Sequence, residues 1–138
     1  MNTKRKGINA ERELLHKFWA IGWSCIRVAG SGSMHYPSPD LLAGNRIRKI
    51  AIECKCINNG SFYFEKKEID DLKEFCNRFG AEPWIAIKFG ESELKDWLFF
   101  MLEDLKETEK GYSVTAELGK MKGLLFEEVV KTAGNSFK

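Results

Sequence analysis

The chain is poor in the residues that staple small secreted or metal-clipped proteins together. Its 138 residues include four cysteines, two histidines and three prolines. Cys25, Cys54, Cys56 and Cys76 form no Cys-x-x-Cys pair and have no nearby histidine to complete a zinc set. They are also no disulfide framework in a chain of this kind, and are expected as small buried hydrophobes. No apolar run approaches the roughly 18 residues that a membrane span needs. Met1-Asn2-Thr3-Lys4-Arg5-Lys6 carries charge with no apolar segment behind it, so neither a signal peptide nor a membrane association is expected, and the predicted location is intracellular. Internal repeats and low-complexity tracts are lacking too. What remains is a single domain over residues 1–138, long enough to bury a core.

Hydrophobic content of 43% with 30% charge is ordinary for a globular chain. The net charge of +2 hides an asymmetry. Residues 1–49 carry nine Lys/Arg against three Asp/Glu, whereas the other 89 carry 13 against 17. A basic first half on a nearly neutral chain points to a local anionic partner such as nucleic acid. Lys4-Arg5-Lys6-Gly7 reads as a basic arm over residues 1–8, able to contact phosphate through charge alone, or as a solvated terminus.

The most informative stretch runs from Pro39-Asp40 to Glu53-Cys54-Lys55. Leu41-Leu42-Ala43 and Ile50-Ala51-Ile52 read as two strands joined by a turn at Gly44-Asn45. Strand alternation sets Ile50, Ile52, Cys54 and Cys56 on one face and Lys49, Ala51, Glu53 and Lys55 on the other. Glu53 and Lys55 then share a face about 6–7 Å apart at a rise of ~3.3 Å per residue. Asp40 can approach them across the hairpin. Asp40 and Glu53 could hold a hard cation such as Mg²⁺ through oxygen, and Lys55 could orient water or offset phosphoryl charge. The bland alternative is an edge hairpin with a surface Glu–Lys pair.

Upstream, Asn9 is a plausible N-cap for a helix to about Ala20, stopped by Gly22. Ala10, Leu14, Leu15, Phe18 and Ile21 form its apolar face, and Glu11 falls inside that face, where a carboxylate needs a partner or a metal. Residues 23–29 read as a strand whose only charge is Arg27, and residues 30–39 as a loop rich in glycine and serine. Downstream, a helix from about Glu65 to Arg78 ends at Gly80, with Ile69, Leu72, Cys76 and Phe79 as its core stripe. Phe75 extends that surface, as core or as a subunit interface. Strands are expected at 83–89 and 96–101, a helical turn at 103–105, a short edge strand at 112–115 and a terminal helix at 125–130 before a frayed tail at 134–138. The order α-β-β-β-α-β-β predicts an α/β fold, a central mixed β-sheet of about five strands flanked by helices.

Together, Glu11, Arg12, Arg27, Gly30-Ser31-Gly32-Ser33, Pro39-Asp40 and Glu53-Cys54-Lys55 resemble the archaeal Holliday junction resolvases, within the restriction-endonuclease-like (PD-(D/E)xK) superfamily. The resemblance spans roughly residues 4–105. It implies a homodimer that cuts paired opposing strands of a four-way DNA junction with Mg²⁺ or Mn²⁺, in recombination and repair near the nucleoid. Sliding-clamp or other replication and repair proteins are candidate partners. Carried onto this chain, Asp40 and Glu53 are implied as metal ligands, with Glu11 as an additional acid of the metal site. Lys55 is implied as the catalytic lysine, Ser31 or Ser33 as the loop serine, and Arg12 and Arg27 as DNA contacts beside Lys4, Arg5 and Lys6. Many members carry Gln at the start of the second helix where this chain has Glu68, which cannot donate a hydrogen bond while ionised. The rival readings are a nuclease of the same fold acting on duplex, nicked or flapped DNA, and a non-catalytic basic DNA-binding module.

Overall fold

The computed structural model describes residues 3–30, 35–90 and 96–136. Helices α1 (Thr3–Ala20), α2 (Lys66–Phe79), α3 (Ala116–Lys122) and α4 (Phe126–Ser136) surround strands β1 (Ser24–Arg27), β2 (Leu41–Gly44), β3 (Lys49–Ile57), β4 (Ser61–Glu65), β5 (Glu82–Phe89), β6 (Leu98–Phe100), β7 (Lys106–Glu107) and β8 (Gly111–Thr115). A five-stranded sheet has the order β1-β2-β3-β5-β6, and a smaller sheet has the order β4-β8-β7. The β3–β5 pair is parallel and all others are antiparallel, so the large sheet is mixed, as expected.

Alternation along the central strands divides the core in two. Ile50, Ile52 and Cys54 of β3, with Trp84 and Ala86 of β5, pack against Leu14 and Phe18 of α1 and Phe126 and Val129 of α4. Ala51 of β3, with Ile85, Ile87 and Phe89 of β5, packs against Ile69, Leu72 and Cys76 of α2 and Phe64 and Val114 of the small sheet. A strand covered on both faces needs an unbroken apolar run, and Ile85-Ala86-Ile87 is fully buried. α2 ends where Gly80 takes a left-handed conformation (φ 84°) and donates its N–H to the Cys76 carbonyl, an end that suits glycine.

The β2–β3 turn is fixed by Asn45, whose side-chain oxygen accepts the N–H groups of Ile47 and Arg48 at 2.8 Å each. Arg48 then turns inward. Its guanidinium grips both Glu82 carboxylate oxygens at 2.8 Å and donates to the Val129 carbonyl at 2.7 Å. It also lies 5.6 Å from the centre of the Trp23 ring. One buried cation thereby ties the hairpin, β5 and α4 together, and its hydrogen bonds hold the Glu82 carboxyl below its usual range.

Several expectations are corrected. The first helix begins at Thr3, so Lys4, Arg5 and Lys6 are helical turns and no separate arm, and Asn9 lies mid-helix. Lysine and arginine are good helix formers, and the Lys6 amine is anchored to the Asn58 side chain at 3.1 Å, which offsets the cost of Gly7. Ile21 lies past the helix end and is exposed. Phe79 is 47% exposed at the last turn of α2, where it stacks on Phe75 at 5.3 Å. Residues 112–115 form the middle strand of the small sheet, not an edge. The terminal helix extends to Ser136.

Candidate active site

Asp40 stands at the mouth of β2. Its N–H donates to the Ile52 carbonyl at 3.0 Å, its carbonyl accepts from Val28 at 2.9 Å, and its Oδ2 accepts the Cys54 N–H at 2.8 Å. The carboxylate takes the place of a main-chain acceptor where β2 and β3 part, which locks it to the β3 backbone. The β2–β3 register ends at Leu41 opposite Ile52, and since the Asp40 N–H also goes to the Ile52 carbonyl, Asp40 stands beside the end of that ladder, close enough to Glu53 for their charges to act on each other.

Glu53 sits on the α2 side of a central strand, between Cys54 and Ile52 that pack on the opposite face. Burial, then the nearby Asp40 charge, push its carboxyl up to about 8 against the pull of Lys55, with Glu68 and Glu11 adding to the rise. Lys55, two residues on, has its ammonium 4.0 Å from the Glu68 carboxylate and 5.3 Å from the centre of the Phe62 ring. Glu11 reaches the same neighbourhood from α1. Burial and Asp40 raise its carboxyl, while Arg27 at 3.5 Å and Lys55 lower it. The side chains of Glu11 and Arg27 are 17% and 19% exposed, so this pair bridges α1 and β1 within the fold and is not a solvated surface contact.

The fold thus brings Glu11, Arg27, Asp40, Glu53 and Lys55 into one electrostatic unit from four separate elements. Of the basic residues expected at DNA, Lys4, Arg5 and Arg12 line a shallow hollow of about 370 Å³ on α1. Lys6 instead points to Asn58, and Arg27 is engaged by Glu11. Ser31 and Ser33 lie outside the described residues. Glu53 also opens onto a hollow of about 290 Å³ whose wall includes His35, Tyr36, Ser38 and Glu68. Glu68 and Phe62 are the additions that residue spacing did not reveal as part of this unit. Their signal was faint: an acid in the first turn of α2, and an aromatic residue after an Asn-Gly turn.

The donor set suits a hard cation of modest ligand demand. Among the described residues no group of three His, Cys, Asp or Glu side chains forms a ready-made metal cage. Mg²⁺ keeps several waters and is usually held by one or two carboxylates, which is what the neighbouring Asp40 and Glu53 offer. The strain is visible in Glu53, whose ionised form is opposed by burial and by Asp40 and would be relieved by a bound cation.

A mixed sheet with an acid at the mouth of one strand and Glu-x-Lys on its neighbour, backed by helices on both faces, defines a nuclease of the restriction-endonuclease-like class. A solved structure described as the 1.6 Å structure of Archaeoglobus fulgidus Hjc, a Holliday junction resolvase from an archaeal hyperthermophile, matches with a TM-score of 0.79 at 36% identity, covering 89% of this chain and 98% of that one. The family model described as archaeal Holliday junction resolvase (Hjc) matches residues 2–136, and the chain belongs to that family. The crossover junction endodeoxyribonuclease Hjc of Archaeoglobus fulgidus is 37% identical over 135 residues, covering 98% of this chain and 94% of that protein. The protein of the same name from Sulfolobus acidocaldarius is 34% identical over 134 residues, with 95% and 90% covered.

Proposed function

We propose that this chain is a structure-selective endodeoxyribonuclease that resolves four-way DNA junctions by Mg²⁺-dependent hydrolysis of paired opposing strands, with Mn²⁺ as a substitute. Family membership supports the substrate, and the closeness of Asp40 and Lys55 to the buried Glu53 is the observation that carries the chemistry. Asp40 and Glu53 would hold the cation, which when bound supplies Lewis-acid polarisation of the scissile phosphodiester and acidifies water. Asp40 is fixed by its hydrogen bond to the Cys54 N–H, so its oxygen is pre-aimed. Lys55 offers ammonium donors to the charge that develops on the phosphoryl oxygens. Glu11 adds a third acid at the rim and, through Arg27, holds α1 against β1. Lys4, Arg5 and Arg12 line α1 as a phosphate-binding face.

Two opposing cuts need two sites, which a homodimer supplies. The stacked Phe75–Phe79 pair, with Phe79 exposed at the end of α2, is the apolar surface we assign to the second copy. The place of action would be intracellular, on nucleoid DNA.

Alanine at Asp40 or at Glu53 should abolish junction cutting and leave junction affinity within about threefold of wild type, because each removes a cation ligand and no phosphate contact. Cleavage and gel-shift measurements on one labelled junction check this. Either variant cutting at the wild-type rate would show that the site lies elsewhere.

A further inference from the structure

We propose that Glu68 is a positioning residue that holds Lys55 beside the Asp40–Glu53 pair; the inference rests on the role given to Lys55 above. Lysine is a compact charge on a flexible stem, so an unheld Lys55 would sweep through solvent and lose effective concentration at the reacting phosphate. Two neighbours restrict it. The ring of Phe62, from β4, lies 5.3 Å from the ammonium, and Glu68 Oε2, from α2, lies 4.0 Å from it. The β4–α2 excursion that links the parallel strands β3 and β5 therefore builds a seat for the lysine.

The geometry of this pair differs from the other ion pairs of α2. Lys66–Asp70, Lys67–Asp71 and Arg78–Glu74 are four residues apart on the solvated face of the same helix. Glu68 instead reaches across to the central sheet, and its Oε2 is buried with no hydrogen-bond partner. A separation of 4.0 Å is beyond hydrogen-bond range, so the carboxylate attracts the ammonium without occupying its donors. Those donors stay available to a phosphate oxygen. Glu68 and Glu53 also border the same hollow, so the tether lies beside the acid that Lys55 adjoins.

The test is steady-state cleavage of a synthetic four-way junction by wild type, Glu68→Ala, Glu68→Gln and Lys55→Ala, with junction Kd and Tm measured for each. Glu68→Ala should lower kcat about tenfold, as losses of supporting groups around a reacting site commonly do, and leave Kd and Tm unchanged. Glu68→Gln, which keeps the shape and loses the charge, should be slowed about as much as Glu68→Ala, since attraction and not a hydrogen bond holds the ammonium. A wild-type kcat in Glu68→Ala overturns the proposal. So does a loss that shows up in Tm or in Kd in place of kcat, or a Glu68→Gln with the wild-type kcat. Full activity in Lys55→Ala would instead overturn the role assigned to the lysine itself, so the two failures are distinguishable.

Discussion

At the residue scale the decisive group is Glu53. It is placed where its charge is disfavoured, first by burial and then by Asp40, and its carboxyl rises from 4.5 to about 8. The sign of the consequence follows from proton counting. Between those two values the unfolded chain has released the Glu53 proton and the folded protein has kept it. Without metal, this group's contribution is therefore fully present below about pH 4.5 and is lost as pH rises through about 8. The Tm of the metal-free protein should fall across that window, and Glu53→Gln, which cannot ionise, should remove that part of the fall. Excess Mg²⁺ should restore the wild-type Tm most strongly at the alkaline end, because only the ionised form binds it. Thermal melts of both proteins across the window, with and without Mg²⁺, check this. A wild-type Tm that rose with pH in the absence of metal would mean that Glu53 is ionised in the folded protein.

At the scale of elements, α1 has two faces with different tasks. One buries Leu14 and Phe18 and delivers Glu11 to Arg27; another carries Lys4, Arg5 and Arg12 along one hollow. If that second face meets phosphate, each neutralised charge releases counterions, and Arg12→Ala should weaken junction binding and flatten the log–log salt slope by about 1. Lys6→Ala should leave the slope unchanged, since Lys6 is turned to Asn58. Fluorescence titrations at several salt concentrations separate these outcomes. Equal slopes for wild type and Arg12→Ala would remove this face from the DNA interface.

Much of this arrangement was legible in the residues. The β2–β3 hairpin, the sidedness of Glu53 and Lys55, and the apolar stripe of Ile69, Leu72 and Cys76 all follow from local periodicity. The parts that were not legible depend on distant partners or weak local patterns. Phe62-Tyr63-Phe64 has no alternation in polarity, so β4 becomes visible only through its pairing with β8. Helix α3 is seven residues long and contains Gly119; the Thr115 side chain caps it by accepting the Leu118 N–H. Arg48 reads as one of several basic turn residues, and its burial depends on Glu82 and Val129, far along the chain. Phe79 fits the helical stripe by spacing and leaves the core because α2 ends there, with Gly80 as its cap.

At the scale of the molecule, the five-stranded sheet serves as a frame between two cores, and the candidate site lies where β2 and β3 separate. Acids from α1, the mouth of β2 and β3 meet there, and the lysine is seated by β4 and α2. Six elements, α1, β1, β2, β3, β4 and α2, thus bear on one cluster. Family membership and this cluster together make the central claim specific: cutting depends on junction structure and on a divalent cation. The most direct measurement is cleavage of a labelled four-way junction and of its separate duplex arms, each with Mg²⁺ and with chelator, and with excess unlabelled duplex as competitor. Paired cuts are expected in opposing strands of the junction with Mg²⁺ alone, undiminished by the competitor. Cutting of the duplex arms at a comparable rate, or junction cutting that survives the chelator, would contradict that claim.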